Sequence, residues 1–381
     1  MLTSRERVLC ALNHEEPDCV PIMFGGSGAT SMLAPAYERL KGHLGTLRDR
    51  ETRVSSRVFQ YTLLDEEVMV RFGSDFRPLL PGPAHSTLAR QVSDDTIIDE
   101  WGTTWQRRPG VQYYEMIHWP LRNATLDDLD HYPWPNLAHP SRFEGLKAKA
   151  KVIRDAGYAS IVLSGLSSYE YCHQLLGLDV WLTKLAAEPD FAHALMRKVT
   201  DLACAMVAKL MEEAGEFIDL VVMADDLGSQ NAPLMSPRMY RRMIKPYQAE
   251  ILAAIKRRHK ARVFYHSCGS IYPLINDLIE IGVDLLNPVQ VSAKDMGDTA
   301  RLKSEFGHRL SFCGAIDTQH VLPHGTPDDV RREVRRRIKD LGPGGGYVLA
   351  AVHAIQPDVP PENVCAMLDE AEKAGHYPLA R

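Results

Sequence analysis

From residue 142 onward, predicted helices and strands alternate along the chain, and this pattern limits the fold more than any other feature. Strands that alternate with helices over such a length pair in parallel, and the helices between them make right-handed crossovers. The predicted strands cover 160–164, 220–223, 262–266, 285–287, 310–313 and 347–350. The predicted helices cover 142–156, 173–186, 190–214, 237–258, 271–280, 294–305, 327–340 and 361–373.

The N-terminal part of the chain supplies two further predicted strands. One covers 19–24, and another lies before residue 135 in a region of mixed helix and short strand. Eight strands predict a single (β/α)8 TIM barrel with an N-terminal helical elaboration, and a doubly wound open sheet is the alternative. We predict one domain over 1–381, in which 1–135 holds the first strands and the elaboration and 136–381 holds the regular β/α repeats.

The composition excludes several classes of protein. Hydrophobic residues make up 45% and charged residues 24% of the chain, as in ordinary soluble globular proteins. A net charge of −5 without a basic stripe argues against a nucleic-acid partner. No apolar run is long enough to span a bilayer, so we expect no membrane association and a cytoplasmic location. Seven cysteines without pairing spacings predict reduced thiols.

Polar side chains follow each of the last five predicted strands. In (β/α)8 barrels the chemistry lies at the carboxyl ends of the strands, so we expect these side chains at one functional rim. A loop cap or turn would explain any one of them, but their recurrence at five successive strands favours a functional site. They are Asp225, Asp226, His266, Cys268, Asn287, Gln290, Cys313, Asp317, Gln319, His353 and Gln356.

His266 and Cys268 form the most informative pair among these side chains. Residues two apart on a strand point in the same direction, so the imidazole and the thiol leave the strand end side by side. Both groups are zinc ligands, and a zinc site that performs chemistry takes three protein ligands and keeps one position open. The alternative is a buried cysteine next to a histidine that is hydrogen-bonded at the end of the strand.

Two acidic positions allow more than one interpretation. Asp225 and Asp226 are adjacent at a strand end and alternate in direction, so only one of them faces the mouth as a general acid or base or as a substrate anchor. Glu170 ends a Ser-Ser-Tyr-Glu segment, 167–170, with the spacing of a capping box, which makes it a helix cap or a fourth metal ligand.

Motifs along nearly the whole chain resemble those of the uroporphyrinogen decarboxylase superfamily. They are RER (5–7), EPDCVP (16–21), DEWG (99–102), DLGSQ (226–230), HSCG (266–269), NPVQ (287–290), GAIDTQ (314–319) and PPEN (360–363). Each motif is weak alone, and the set is specific. The resemblance implies a (β/α)8 barrel, in agreement with the predicted alternation.

Two activities occur among the proteins that the chain resembles. The tetrapyrrole decarboxylases carry arginine after the first strand to bind substrate propionates, whereas residues 21–28 of this chain contain none, which weighs against that activity. The zinc methyltransferases that act with corrinoid proteins carry His-x-Cys and a later cysteine after the last strand. His266 and Cys268 match the first part, and His353 stands where the second cysteine is expected. Cys313 is the rival third ligand.

The resemblance implies a zinc-dependent enzyme that moves a methyl group from a small methylated substrate to a corrinoid (cobalamin) carrier protein. Zinc held by two imidazoles and one thiolate receives less charge than zinc held by two thiolates, which suits an oxygen or nitrogen leaving group. A metal-free decarboxylase-like lyase and a non-catalytic tetrapyrrole- or corrinoid-binding barrel are the alternatives. By analogy a homodimer is expected. The implied roles are zinc binding for His266, Cys268 and His353, catalysis for Asp225 or Asp226, and substrate binding for Gln290, Asp317, Gln319 and Asn363.

Overall fold

The computed structural model describes residues 1–47 and 49–379. The α-helices are α1 (Ser4–Leu12), α2 (Ala34–Leu44), α3 (Glu66–Arg71), α4 (Leu126–His131), α5 (Leu146–Asp155), α6 (Tyr169–Leu176), α7 (Leu178–Ala187), α8 (Pro189–Ala214), α9 (Pro237–Met243), α10 (Lys245–Lys256), α11 (Ile275–Glu280), α12 (Thr299–Phe306), α13 (Val321–His324), α14 (Pro327–Leu341) and α15 (Pro361–Ala374). Within the described ranges, none of the helices combines the length and the apolar character that crossing a membrane requires.

The strands divide into one large parallel sheet and two small antiparallel ones. They are β1 (Arg53–Val54), β2 (Thr62–Leu63), β3 (Phe76–Leu79), β4 (Arg90–Ser93), β5 (Thr96–Ile98), β6 (Thr104–Arg107), β7 (Tyr114–His118), β8 (Ala159–Leu166), β9 (Leu220–Ala224), β10 (Arg262–His266), β11 (Leu285–Val289), β12 (Ser311–Ile316) and β13 (Tyr347–Ala351).

The parallel sheet has seven strands in the order β3, β8, β9, β10, β11, β12, β13, and residues 20–24 close it into a ring. Ile22 forms parallel bridges to Ser74, just before β3, and to Leu349 in β13. The Met23 amide donates to the Leu349 carbonyl at 2.9 Å. These bonds make 20–24 the first strand of the ring, so the predicted (β/α)8 barrel is confirmed.

The N-terminal elaboration combines helices with short strands, as the sequence indicates. The strands β4 to β7 form a four-stranded antiparallel sheet, and β1 pairs with β2. The second barrel strand, which the sequence places only before residue 135, is β3. It has four residues, and Pro78 interrupts its pattern, which explains why sequence reasoning does not locate it.

The predicted elements after residue 142 are present, but two helices are divided, and the helices predicted over 142–156, 271–280 and 294–305 begin at Leu146, Ile275 and Thr299. The helix predicted over 173–186 is divided by Gly177, whose φ of 87° is outside the helical region, into α6 and α7. The helix predicted over 237–258 is divided at Ile244, where Pro246 in the first turn of α10 lacks the amide hydrogen that would continue α9.

Helix α1 closes the amino-terminal end of the barrel. Its Val8 and Leu12 belong to one buried cluster with side chains from all eight barrel strands, including Phe76 and Phe264. The helix starts at a capping box in which Thr3 and Glu6 satisfy each other's backbone amides. This packing fills the amino-terminal end of the barrel, so we expect ligands at the carboxyl ends of the strands.

Replacing Leu12 with Ala should destabilise the protein by about 3 kcal/mol, because it leaves a cavity where α1 fills the barrel. Leu12 is 3% exposed, whereas Leu2 is 38% exposed, so Leu2→Ala is the matched control and should change stability by less than about 0.5 kcal/mol. Denaturant unfolding followed by circular dichroism measures both values. Equal effects of the two substitutions would contradict the packing role of α1.

Candidate metal centre

Two histidines and one cysteine meet at the carboxyl-terminal mouth of the barrel. His266 ends β10, Cys268 follows two residues later, and His353 lies just beyond β13. One ligand atom from each of the three lies within 4.8 Å of the other two. The Cys268 Sγ is 3.4 Å from His266 Nε2, and the two imidazole centroids are 5.5 Å apart. The structure therefore brings together the three predicted metal ligands.

The spacing of these donor atoms fits zinc. Zinc–nitrogen and zinc–sulfur bond lengths place the ligand atoms of a tetrahedral site roughly 3.3–3.6 Å apart. The distance of 3.4 Å between His266 Nε2 and Cys268 Sγ lies in that range. All three ligand atoms lie within 4.8 Å of one another, so a small movement of the side chains would bring them to tetrahedral spacing. Three protein ligands of this type leave a fourth position for another ligand.

Asn287 fixes the orientation of the His266 ring. The two residues are register partners on the neighbouring strands β10 and β11, and His266 Nδ1 lies 2.7 Å from Asn287 Oδ1. A carbonyl oxygen accepts a hydrogen bond, so Nδ1 carries the proton and Nε2 presents its lone pair to the centre. A partner of this kind holds a metal ligand in position, and the fully buried Asn287 is well suited to it.

The two adjacent aspartates have different environments. The Asp226 Oδ1 accepts a hydrogen bond from the Cys268 amide at 2.8 Å and lies 3.7 Å from His266 Nε2. Asp225 is fully buried and accepts hydrogen bonds from the Ser167 hydroxyl, the Glu170 amide and other groups near the start of α6. Asp226 is thus the member of the pair at the metal centre, and Asp225 anchors α6.

Only half of the capping box predicted for Glu170 forms. The Ser167 Oγ accepts a hydrogen bond from the Glu170 amide at 3.1 Å, and Asp225 shares this donor at 2.9 Å, but the Glu170 carboxylate makes no cap bond among the described residues. The Glu170 side chain accepts a hydrogen bond from Gln174 at 3.3 Å. Burial raises its pKa well above the ordinary value, and the negative charges of Asp226 and then Asp225 add to the shift. Glu170 nevertheless lies outside the set of mutually close metal-binding atoms found in the described residues.

Three of the four predicted substrate-binding side chains, those of Gln290, Asp317 and Asn363, support loops around the mouth. The Gln290 Oε1 accepts from the Gly269 amide at 2.6 Å, directly after Cys268. Asp317 accepts from the Gln319 amide at 2.7 Å, and the Gln319 side chain is exposed. The Asn363 amide donates to two loop carbonyls, those of Leu322 and Gly325, both at 2.8 Å. Their contact with substrate stays a prediction.

Cys313, the rival third ligand, lies inside the barrel. It is fully buried in the apolar cluster that contains Val8 and Leu12 of α1. Burial raises the pKa of its thiol to about 12, so the thiol stays protonated at neutral pH. Cys313 is outside the metal-binding set of the described residues and packs as an apolar side chain.

Sequence reasoning misses Tyr61, which reaches the centre from the elaboration. Its ring centroid is 6.0 Å from that of His353. Phe59 stacks on Tyr61 with centroids 5.5 Å apart and an interplanar angle of 16°. A methyl group at Gly28 would lie 2.3 Å from Tyr61 Cδ2, so this glycine is what makes room for the ring. Neither Tyr61 nor Gly28 belongs to a motif that could have indicated the contact.

The protonation states of the ligands follow from burial and nearby charge. Burial lowers the pKa of His353 to about 4, and the neighbouring His266 acts in the same direction. His353 is therefore neutral at pH 7, with a lone pair available for a metal. Burial raises the pKa of the Cys268 thiol, and the carboxylates of Asp226 and Glu170 raise it further.

The sequence profile of uroporphyrinogen decarboxylase (URO-D) matches residues 117–374. The chain belongs to the uroporphyrinogen decarboxylase family. Curated family members include the uroporphyrinogen decarboxylase of Pelodictyon phaeoclathratiforme, which is 27% identical over 191 residues, 48% of this chain and 49% of that protein. The enzyme of Thioalkalivibrio sulfidiphilus is 26% identical over 221 residues, 57% of this chain and 56% of that protein. The chain thus spans about half the length of these relatives.

The comparison with solved structures gives the same kind of barrel fold. A methyltransferase from Methanosarcina mazei superposes with a TM-score of 0.65 and 17% sequence identity, over 98% of this chain and 99% of that one. At this identity the likeness shows the shared barrel fold.

Removing one of the three ligands should weaken zinc binding by roughly 10²-fold or more. This loss exceeds the roughly 10–100-fold that is typical when a residue that only hydrogen-bonds a metal ligand is removed. The variants are His353→Ala and Cys268→Ser, and the matched controls are His320→Ala and Cys365→Ser, which change residues outside the centre. Competition against a chromogenic chelator measures the affinity. Zinc binding that survives in both variants would contradict the proposed ligand set.

Zinc affinity should rise with pH, by about tenfold per pH unit between roughly pH 6 and 9. The raised pKa keeps the Cys268 thiol protonated in the metal-free protein, so binding must release one proton. His353, with its pKa lowered to about 4, is already neutral in this range and adds no pH dependence. Measuring the dissociation constant across the range gives the slope. A pH-independent affinity would show that the thiol is not a ligand.

Proposed function

We propose that the protein is a zinc-dependent methyltransferase that moves a methyl group from a small O- or N-methylated compound to the cobalt of a corrinoid on a partner protein. The observation that carries this proposal is the convergence of His266, Cys268 and His353 at the mouth of the barrel. The site has three protein ligands, as is typical of zinc centres that perform chemistry.

Each ligand residue has a defined task in this reaction. Zinc, when bound, supplies Lewis acidity toward the atom that loses the methyl group. His266 and His353 provide neutral imidazoles, and Cys268 provides one thiolate. Because only one ligand is anionic, the donor set suits oxygen and nitrogen leaving groups better than sulfur. Asp226, at 2.8 Å from the Cys268 amide, holds the loop of the thiolate ligand and orients substrate beside it.

The methyl transfer balances with a reduced corrinoid as the acceptor. The bond between the methyl carbon and the heteroatom breaks, and the heteroatom keeps the electron pair and takes up a proton. The carbon forms a bond to cobalt, which changes from Co(I) to Co(III). A corrinoid carrier protein must therefore present its cobalt at the barrel mouth. The seven free cysteines fit the reducing, cytoplasmic setting that this cofactor state requires.

Decarboxylation is the second candidate, and one buried residue favours it. Arg142 is 9% exposed, and its Nη2 donates to the Ser164 carbonyl at 3.2 Å at the end of β8. Its Nε and Nη1 have no hydrogen-bond partner among the described residues. A guanidinium in this state is suited to a carboxylate. The related decarboxylases named above share this reaction class.

Zinc-loaded protein should convert cob(I)alamin to methylcob(III)alamin when supplied with a methylated donor, and visible spectroscopy follows this change. We expect Cys268→Ser and His353→Ala to lose at least about 10²-fold in rate, because the Lewis acid is no longer held. His320→Ala and Cys365→Ser should keep the wild-type rate. The donor panel contains 2-methoxyphenol, trimethylamine and dimethyl sulfide.

Two results would contradict the proposal. One is methyl transfer that persists unchanged after exhaustive chelation of metal. The other is release of CO2 from uroporphyrinogen by the chelated protein, which would support decarboxylation.

A further inference from the structure

The ring of Tyr61 lies beside the metal centre, and its hydroxyl has no hydrogen-bond partner among the described residues. Within residues 1–47 and 49–379 the hydrogen bonds of Tyr61 are made by its backbone carbonyl, which accepts from Ser55. The ring sits 6.0 Å from that of His353, and the residue is partly rather than fully buried. Burial raises its pKa, and the ionisable groups of Cys268 and Glu170 act in the same direction. The phenol is an O–H donor on a ring held by the stacked Phe59 and by the space at Gly28.

We propose that Tyr61 is a further catalytic residue, whose hydroxyl donates a hydrogen bond to the oxygen atom that loses its methyl group. This assignment rests on the methyl transfer proposed above, and it names methyl ethers as the substrate class. Tyr61 keeps its own proton throughout, so the proposal does not depend on its titration. The proton that the oxygen finally takes up comes from solvent.

A hydrogen bond at this position favours oxygen over sulfur and nitrogen. An ether oxygen is a weak acceptor in the ground state and gains negative charge as its bond to the methyl carbon breaks. A donor placed at that atom therefore stabilises the transition state more than the substrate. A thioether sulfur is a weak acceptor. An ammonium nitrogen that loses a methyl group leaves as a neutral amine and gains no negative charge.

The surroundings of Tyr61 hold the donor in place. Gly28 lacks the Cβ that would lie 2.3 Å from Tyr61 Cδ2. The stacked ring of Phe59, 5.5 Å away between centroids, packs beside Tyr61. The phenol is thus oriented before substrate arrives, and a preorganised donor is the kind that accelerates a reaction.

The first experiment compares Tyr61→Phe with wild type on an O-methyl donor, 2-methoxyphenol, and an S-methyl donor, dimethyl sulfide. We expect kcat with 2-methoxyphenol to fall roughly 10²-fold, while KM changes little, because the lost bond forms mainly in the transition state. The rate with dimethyl sulfide should change less than about threefold, since sulfur accepts weakly. Tyr272→Phe, a surface tyrosine bonded to Glu305, is the matched control.

The second experiment measures binding and does not require turnover. Zinc-loaded protein is titrated with 4-nitrophenol, whose absorbance reports the ionisation of its oxygen. We expect wild type and Tyr272→Phe to bind the phenolate alike, and Tyr61→Phe to bind it at least about tenfold more weakly, because a hydrogen bond to a charged acceptor is lost. Gly28→Ala, which displaces the ring and keeps the hydroxyl, should weaken binding as well.

The two experiments separate the two proposals. If the protein transfers no methyl group from any donor, the proposed reaction fails, while the 4-nitrophenol result still decides whether Tyr61 binds an oxyanion. Equal loss of rate on the oxygen and sulfur donors would overturn the role of Tyr61. So would 4-nitrophenol affinity that is the same in wild type and Tyr61→Phe, or that is absent in both.

Discussion

Closure of the barrel is the constraint on which the metal centre depends. His266 ends β10 and His353 follows β13, with β11 and β12 between them. In a flat sheet three strand spacings would hold these two positions about 14 Å apart. Their imidazole centroids are 5.5 Å apart because the closed ring lets the side chains meet over its mouth. The bridges of Ile22 to both Ser74 and Leu349, which close the ring, are therefore as necessary to the centre as its ligands.

The sequence predicts those parts of the centre that depend on local geometry. A period of two along β10 is enough to place His266 beside Cys268, and strand order places His353 on the same rim. The sequence does not distinguish Asp225 from Asp226, because the choice depends on the Ser167 hydroxyl and the other donors that surround Asp225. These donors come from the start of α6, an element far away in sequence.

The N-terminal elaboration also makes contacts that local sequence patterns do not predict. Tyr61 approaches His353 from a loop beside β2, and nothing in the intervening sequence records that contact. Glu170 has the spacing of a capping residue, but among the described residues its carboxylate makes no cap bond, and Asp225 joins Ser167 in accepting its amide. In both cases a tertiary contact decides the role of the side chain, and local patterns carry no information about it.

The segment that departs from the decarboxylase pattern has another use in this chain. Residues 21–28, where the resembling decarboxylases carry arginine, end at Gly28, whose missing Cβ makes room for Tyr61. The acids at the mouth, Glu170 and Asp226, have no lysine or arginine ion-pair partner among the described residues. Acids without cationic partners at the mouth disfavour a polycarboxylate substrate and attract a divalent cation. The charge of that cation would lower the pKa values of these acids, which burial and their mutual repulsion raise. The family fold is thus compatible with both activities: the acids around the three ligands favour the metal-dependent one, and the unpaired Arg142 at the end of β8 favours the other.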